Sequence, residues 1–172
     1  MGTVCQEGLS TGGHLKMFIA SFDIGVENFA YALIDKTSKE WHVRAWGTFD
    51  LGKGSPWKKA CSRLLTALDS LDLQHCHSIL VEQQGRRAHV NQQIATCIWA
   101  FCQCRGWVEP KSVAPRTKFE GEIYTTHRQR KLASIAWLEQ QSSHIPPLLF
   151  LEWSRREKKD DMADAVMQAV CR

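Results

Sequence analysis

Asp23, Glu82, Asp161 and Asp164 carry the chemistry most open to this sequence. Asp23 closes an apolar run, Met-Phe-Ile-Ala-Ser-Phe-Asp, and Glu82 closes another, His-Ser-Ile-Leu-Val-Glu. Asp161 and Asp164 are three apart, so on a helix they share one face. Four carboxylates brought to one place repel each other. Divalent cations relieve that repulsion. Mg²⁺ takes oxygen ligands and keeps waters, which leaves room for phosphate oxygens. Two such ions about 4 Å apart can activate a water on one side of a phosphodiester and stabilise the leaving oxygen on the other. The set therefore predicts catalysis of phosphodiester hydrolysis, with all four acids as metal ligands. Whether Mn²⁺ replaces Mg²⁺ is left open by the sequence. Each acid also has a plainer reading. Asp23 could cap the turn at Gly25, Glu82 could be a surface acid, and Asp160 and Asp161 could face the positive end of a helix. Asp160 is assigned that last role.

The elements that would gather these acids follow from hydrophobic spacing. Strands are expected at 17–23, 29–35 and 41–49, joined by short turns, which predicts an antiparallel meander. A helix starting at Ser55 or Pro56 carries Leu64, Leu65, Leu68 and Leu71. A fourth strand is expected at 77–82, then a helix with Val90, Ile94, Ile98 and Phe101 that stops near Gly106. A fifth strand is expected at 107–113, a helix at 131–140, a short apolar stretch at 148–153, and a last helix at 160–170. Strand–helix alternation after a meander implies an α/β fold, a mixed five-stranded sheet of three antiparallel strands plus two parallel strands, flanked by helices. The first and fourth strands would lie side by side at its centre, bringing Asp23 beside Glu82.

At 172 residues, with 44% apolar and 23% charged residues, the chain suits one globular domain. The net charge is only +4, but residues 111–159 hold ten Lys/Arg against five Asp/Glu. That biased segment is where a phosphate backbone would be held. The seven cysteines include no Cys-x-x-Cys pair, which favours reduced, mostly buried thiols over a disulfide framework or a zinc site. No apolar run is long enough to span a membrane. Residues 1–16 are polar and glycine-rich and read as a flexible extension or leader, with the folded domain at 17–172.

Three segments together resemble a known family: Phe22-Asp23-Ile24-Gly25 with Asn28, then Ile79-Leu80-Val81-Glu82-Gln83-Gln84, then Lys158-Lys159-Asp160-Asp161-Met162-Ala163-Asp164-Ala165. They resemble the RuvC-like Holliday junction resolvases, and the Glu-Gln-Gln and Lys-Lys-Asp-Asp forms are similar to the poxvirus-type branch and its mitochondrial fungal relatives. The resemblance covers about residues 17–171 and implies a ribonuclease H-like fold, a homodimer, and Mg²⁺-dependent paired nicking of four-way DNA junctions. It implies the metal-ligand role for Asp23, Glu82, Asp161 and Asp164. A poxvirus-type member would be intracellular, at viral replication sites in the host cytoplasm; mitochondrial and nuclear locations stay open. Bacterial members place an aromatic wedge shortly after the strand-end Glu. Here Gln83, Gln84, Gly85, Arg86 and Arg87 follow Glu82, so Arg86 and Arg87 are the candidates to reach phosphates there.

Further DNA-contact candidates are Lys111, Arg116 and Lys118, then Arg128, Arg130 and Lys131, then Lys158 and Lys159 beside the acidic helix. A basic approach to an acidic centre suits a nuclease, because cations hold the flanking phosphates. In the helix after Glu82, Ile94, Ile98 and Phe101 can face the sheet, which leaves Ala95, Trp99 and Cys102 as a second apolar face, covered either within the domain or by the dimer contact that the resemblance implies. Three alternatives carry the same residues differently. One is another nuclease of this fold acting on RNA–DNA hybrids or branched DNA. Another is a nucleotide-binding protein of the actin and sugar-kinase type, for which the length leaves too little room. The last is a catalytically silent DNA-binding protein, which would gain by losing acids near DNA.

Overall fold

The computed structural model describes residues 16–115 and 126–171. Five strands form one sheet: β1 (Met17–Asp23), β2 (Phe29–Lys36), β3 (Trp41–Phe49), β4 (Ser78–Glu82) and β5 (Lys111–Val113). Their order is β3-β2-β1-β4-β5. β1–β2 and β2–β3 are antiparallel, whereas β1–β4 and β4–β5 are parallel, as the meander-plus-crossover pattern predicts. The helices are α1 (Trp57–Asp69), α2 (His89–Cys104), α3 (His127–Gln140), α4 (Pro147–Ser154) and α5 (Asp160–Val170).

Side-chain alternation splits the core into two layers. In β1, Ala20 and Phe22 face one side with Ile79 and Val81 of β4, against Leu64 and Leu68 of α1 and Ile94, Ile98 and Cys102 of α2. Ile19 and Leu80 face the other side, with Ala163, Ala165, Val166 and Ala169 of α5, Leu138 of α3 and Trp153 of α4. Because successive side chains alternate, Asp23 follows Ile19 and Ser21, and Glu82 follows Leu80. Both acids therefore project toward the α5 side. The alanines of α5, with Ala30 and Ala32 beneath them, let that helix lie close to β1 and β2. Gln168 of α5, buried, donates to the backbone oxygen of Phe22 at 3.4 Å, one residue before Asp23.

Several expectations need correction. The fifth strand is shorter than 107–113, because Pro110 has no N–H for a ladder; Trp107 and Val108 pack on the α1–α2 core from a loop instead. α1 ends at Asp69, so Leu71 lies beyond it, and Leu65 is exposed. α3 starts four residues earlier than expected, where Thr126 and Gln129 form a reciprocal capping box. The apolar stretch 148–153 is helical, with Pro147 at its first position. On α2, Cys102 is buried in the stripe with Ile94 and Ile98, and Phe101 is only half-buried, in edge contact with Trp107. The stripe thus steps by four residues through 94, 98 and 102. The described cysteines are all free thiols, but of these only Cys102 is fully buried. No helix among the described residues is long and apolar enough to cross a membrane.

Candidate active site

The four acids expected to act together line one cavity of about 380 Å³ at the carboxyl ends of β1 and β4. Asp23 and Glu82 enter from the sheet, and Asp161 and Asp164 from α5. The register explains the first pair: Phe22 lies opposite Val81 in the parallel β1–β4 ladder, so the next residue on each strand is the acid. The helical pair sits one turn apart on the flank of α5 whose other residues fill the core. Ile24, Gln84, Asn91, Pro115, His127, Arg130 and Lys131 complete the wall.

Charge in the cavity is partly balanced by lysines. Lys158 Nζ lies 2.7 Å from Asp161 Oδ2, and Lys131 Nζ lies 4.0 Å from Asp161 Oδ1. Lys131 also forms a close ion pair with Asp160 across the α3–α5 contact. Burial and the charge of Asp160 push Asp161 above the ordinary carboxylate range, against the pull of Lys158. For Asp160, burial pushes up, but the hydrogen bond and charge of Lys131 outweigh it, and its carboxyl lies below that range. Asp160 is therefore more than a first-turn acid. It is buried and, through its ion pair with Lys131, fastens α5 to α3.

As the side chains stand, no three His, Cys, Asp or Glu among the described residues gather tightly enough to hold an ion. The four acids share a cavity without converging on one point, and Asp161 is drawn toward lysines. The donor set still fits a hard divalent cation. It is all carboxylate oxygen, the acids are half-buried, and Lys158 is half-exposed, so Asp161 can be released without unpacking the core.

The predicted cationic residues separate. Arg130 and Lys131 line the cavity, and Arg130 Nε is shut off from solvent with no hydrogen-bond partner among the described residues. Lys158 lines an adjoining recess with Asp23 and Asp161. Arg86, Arg87, Lys111 and Arg128 are exposed and stand outside the cavity wall. Lys159 is half-buried, with its ammonium over the Trp153 ring at 5.5 Å. Arg116 and Lys118 lie outside the described residues. Asn91 and His127 were not singled out from sequence. His127 became placeable only with the capping box at Thr126. Asn91 had no signal beyond being polar in the first turn of an apolar helix.

The sheet order, the helices on both faces and the acids at the carboxyl ends of the central strands define a ribonuclease H-like fold. The chain belongs to the Poxvirus A22 protein family, whose model matches residues 17–171. Among solved structures, the fowlpox virus resolvase in complex with substrate Holliday junction DNA is 24% identical, with a TM-score of 0.68 over 90% of this chain and 95% of that one. The yeast mitochondrial Holliday junction resolvase is 16% identical, with a TM-score of 0.66 over 94% of this chain and 79% of that one. T. thermophilus RuvC in complex with Holliday junction substrate is 14% identical, with a TM-score of 0.63 over 90% and 91%. No curated sequence matches the chain.

Proposed function

We propose that this protein is a divalent-metal-dependent endonuclease that resolves four-way DNA junctions by paired phosphodiester hydrolysis, acting as a homodimer with one active site per protomer. The observation that carries the reading is the meeting of Asp23, Glu82, Asp161 and Asp164 in one cavity with cationic side chains on its wall. When bound, Mg²⁺, in one or two ions, or Mn²⁺ in its place, would neutralise these acids and polarise the scissile phosphate. Asp23 and Glu82 offer oxygens from the rigid sheet. Asp164 offers one from α5. Asp161 offers another once it leaves Lys158, whose ammonium is then free for a phosphate oxygen beside the cut. Arg130 and Lys131 carry charge on the α3 side, where the same backbone would continue. With two symmetry-related strands to cut, a two-fold dimer would present one cavity to each.

The test is incubation of the full chain with a synthetic four-way junction, a linear duplex and an RNA–DNA hybrid, with and without Mg²⁺, mapping every nick. Paired, symmetric nicks in the junction alone, only with the ion, are expected. Preferential cleavage of the hybrid would transfer the reading to another nuclease of the same fold. Binding without cleavage of any substrate would mark a silent binder.

A further inference from the structure

The parallel ladder between β1 and β4 stops at Phe22 opposite Val81, one residue short of the two acids. Asp23 is still paired outward, to Ala30 of β2, and Glu82 outward, to Val113 of β5. The β1–β4 register thus runs up to the two residues that precede Asp23 and Glu82. A chain of side-chain amides links the strands beyond it. Gln84 Nε2 donates to the backbone oxygen of Glu82 at 2.9 Å. Gln84 Oε1 accepts from Asn91 Nδ2 at 3.1 Å, and the same nitrogen donates to the backbone oxygen of Ile24, next to Asp23, at 3.1 Å. Asn91 is fixed in the first turn of α2, whose Ile94 and Ile98 are locked in the core.

We propose that Gln84 and Asn91 are positioning residues that set the separation of Asp23 and Glu82 for ion binding. The relay extends the tie between the strands past the last ladder pair: its two ends grip carbonyls at or beside the two acids, and its middle is anchored on a helix rather than on either strand. Both side chains are uncharged, so they fix the strand ends without forming ion pairs that would neutralise the acids in place of the cation. The inference rests on reading the four acids as an ion-binding set. Groups that hold metal ligands in place commonly change metal affinity about 10- to 100-fold when removed.

The test measures Mn²⁺ binding to the full chain by calorimetry, alongside junction cleavage across a Mg²⁺ series and thermal melts in chelator. Asn91→Ala and Gln84→Met are each expected to weaken Mn²⁺ binding about 10-fold. Cleavage should shift to higher Mg²⁺ by a similar factor, while KM for the junction stays unchanged. Gln84→Met keeps the side-chain length, which guards against a simple packing defect. Since the two residues act as one chain, the double variant should bind Mn²⁺ no worse than the weaker single variant. Affinities of both single variants within about twofold of the parent, or a double variant whose loss is the product of the two, would overturn the proposal. Wild-type protein that binds Mn²⁺ but leaves junctions uncut, with weaker binding in the variants, would sink the junction reading and leave the relay standing. Wild-type protein that binds no Mn²⁺ would overturn both.

Discussion

Replacing Asp160 by asparagine should lower the stability of the metal-free protein, whereas replacing its neighbour Asp161 by asparagine should leave it level or raise it. Asp160 is 7% exposed and holds Lys131, whose side chain is 32% exposed. A hydrogen bond to a charged group contributes about 1.5–3 kcal/mol. Asp161, 4.0 Å from Lys131, compensates part of the loss, so Asp160→Asn should cost about 2 kcal/mol. For a domain of this size that lowers Tm by about 4–8 °C. Asp161 is instead held above the ordinary carboxylate range by burial and by the charge of Asp160. Its partner Lys158 is 50% exposed, so the pair contributes only about 0–1 kcal/mol. Asp161→Asn removes a penalised charge and loses little, and Tm should stay level or rise by a few degrees, about 2–4 °C at most.

The pH dependence follows from the two directions. Asp160, lowered on folding, contributes stability above its unfolded pKa of about 4, and the contribution fades as pH falls through the folded value. The deficit of Asp160→Asn should therefore shrink in acid. Asp161, raised on folding, penalises the native state above its folded pKa, and the penalty disappears as pH falls through it. Any advantage of Asp161→Asn should vanish in acid too. The assay is a set of thermal melts in chelator from neutral pH down to the carboxylate range. A larger loss of Tm for Asp161→Asn than for Asp160→Asn would refute this division of roles.

Glu82→Gln and Asp161→Asn should each abolish junction cleavage while gel-shift binding is kept or strengthened, because a negative charge beside the DNA is gone. Gly25→Ala should reduce both stability and cleavage, since a Cβ at residue 25 would meet the Asn28 backbone oxygen at 2.9 Å and force the turn that follows Asp23 to shift. Its cost should be about 1–3 kcal/mol by thermal melt. Trp153→Phe removes the indole donor to the Lys159 oxygen, 3.0 Å away at the entrance of α5, and should cost at least about 1 kcal/mol while raising the Mg²⁺ midpoint of cleavage.

The acid-bearing elements were legible in the sequence for physical reasons. β1 and α5 have the bounds expected from it, because each has an unbroken pattern marked at one boundary by a charge change: Phe22 to Asp23 at the end of the strand, Lys159 to Asp160 at the start of the helix. Side-chain alternation then carried Asp23 and Glu82 to the same face without further information. The misses share a different cause. The fifth strand was cut short by one proline, and α3 was lengthened by a capping box between Thr126 and Gln129, both local features that override hydrophobic spacing. The burial of Asp160 depends on Lys131, 29 residues away, and the Gln84–Asn91 chain joins a strand end to a helix. Periodicity within one element holds no trace of either contact.

Two of the four cavity acids sit on α5, which comes after every other element in chain order, while Asp23 sits on the first strand. During synthesis, the sheet and its early helices can form on the ribosome before residues 160–170 emerge. Without that helix the cavity lacks Asp161 and Asp164, half of its acids. The cavity is thus assembled from the two ends of the folded domain, and its four acids come together only when α5 docks on the sheet.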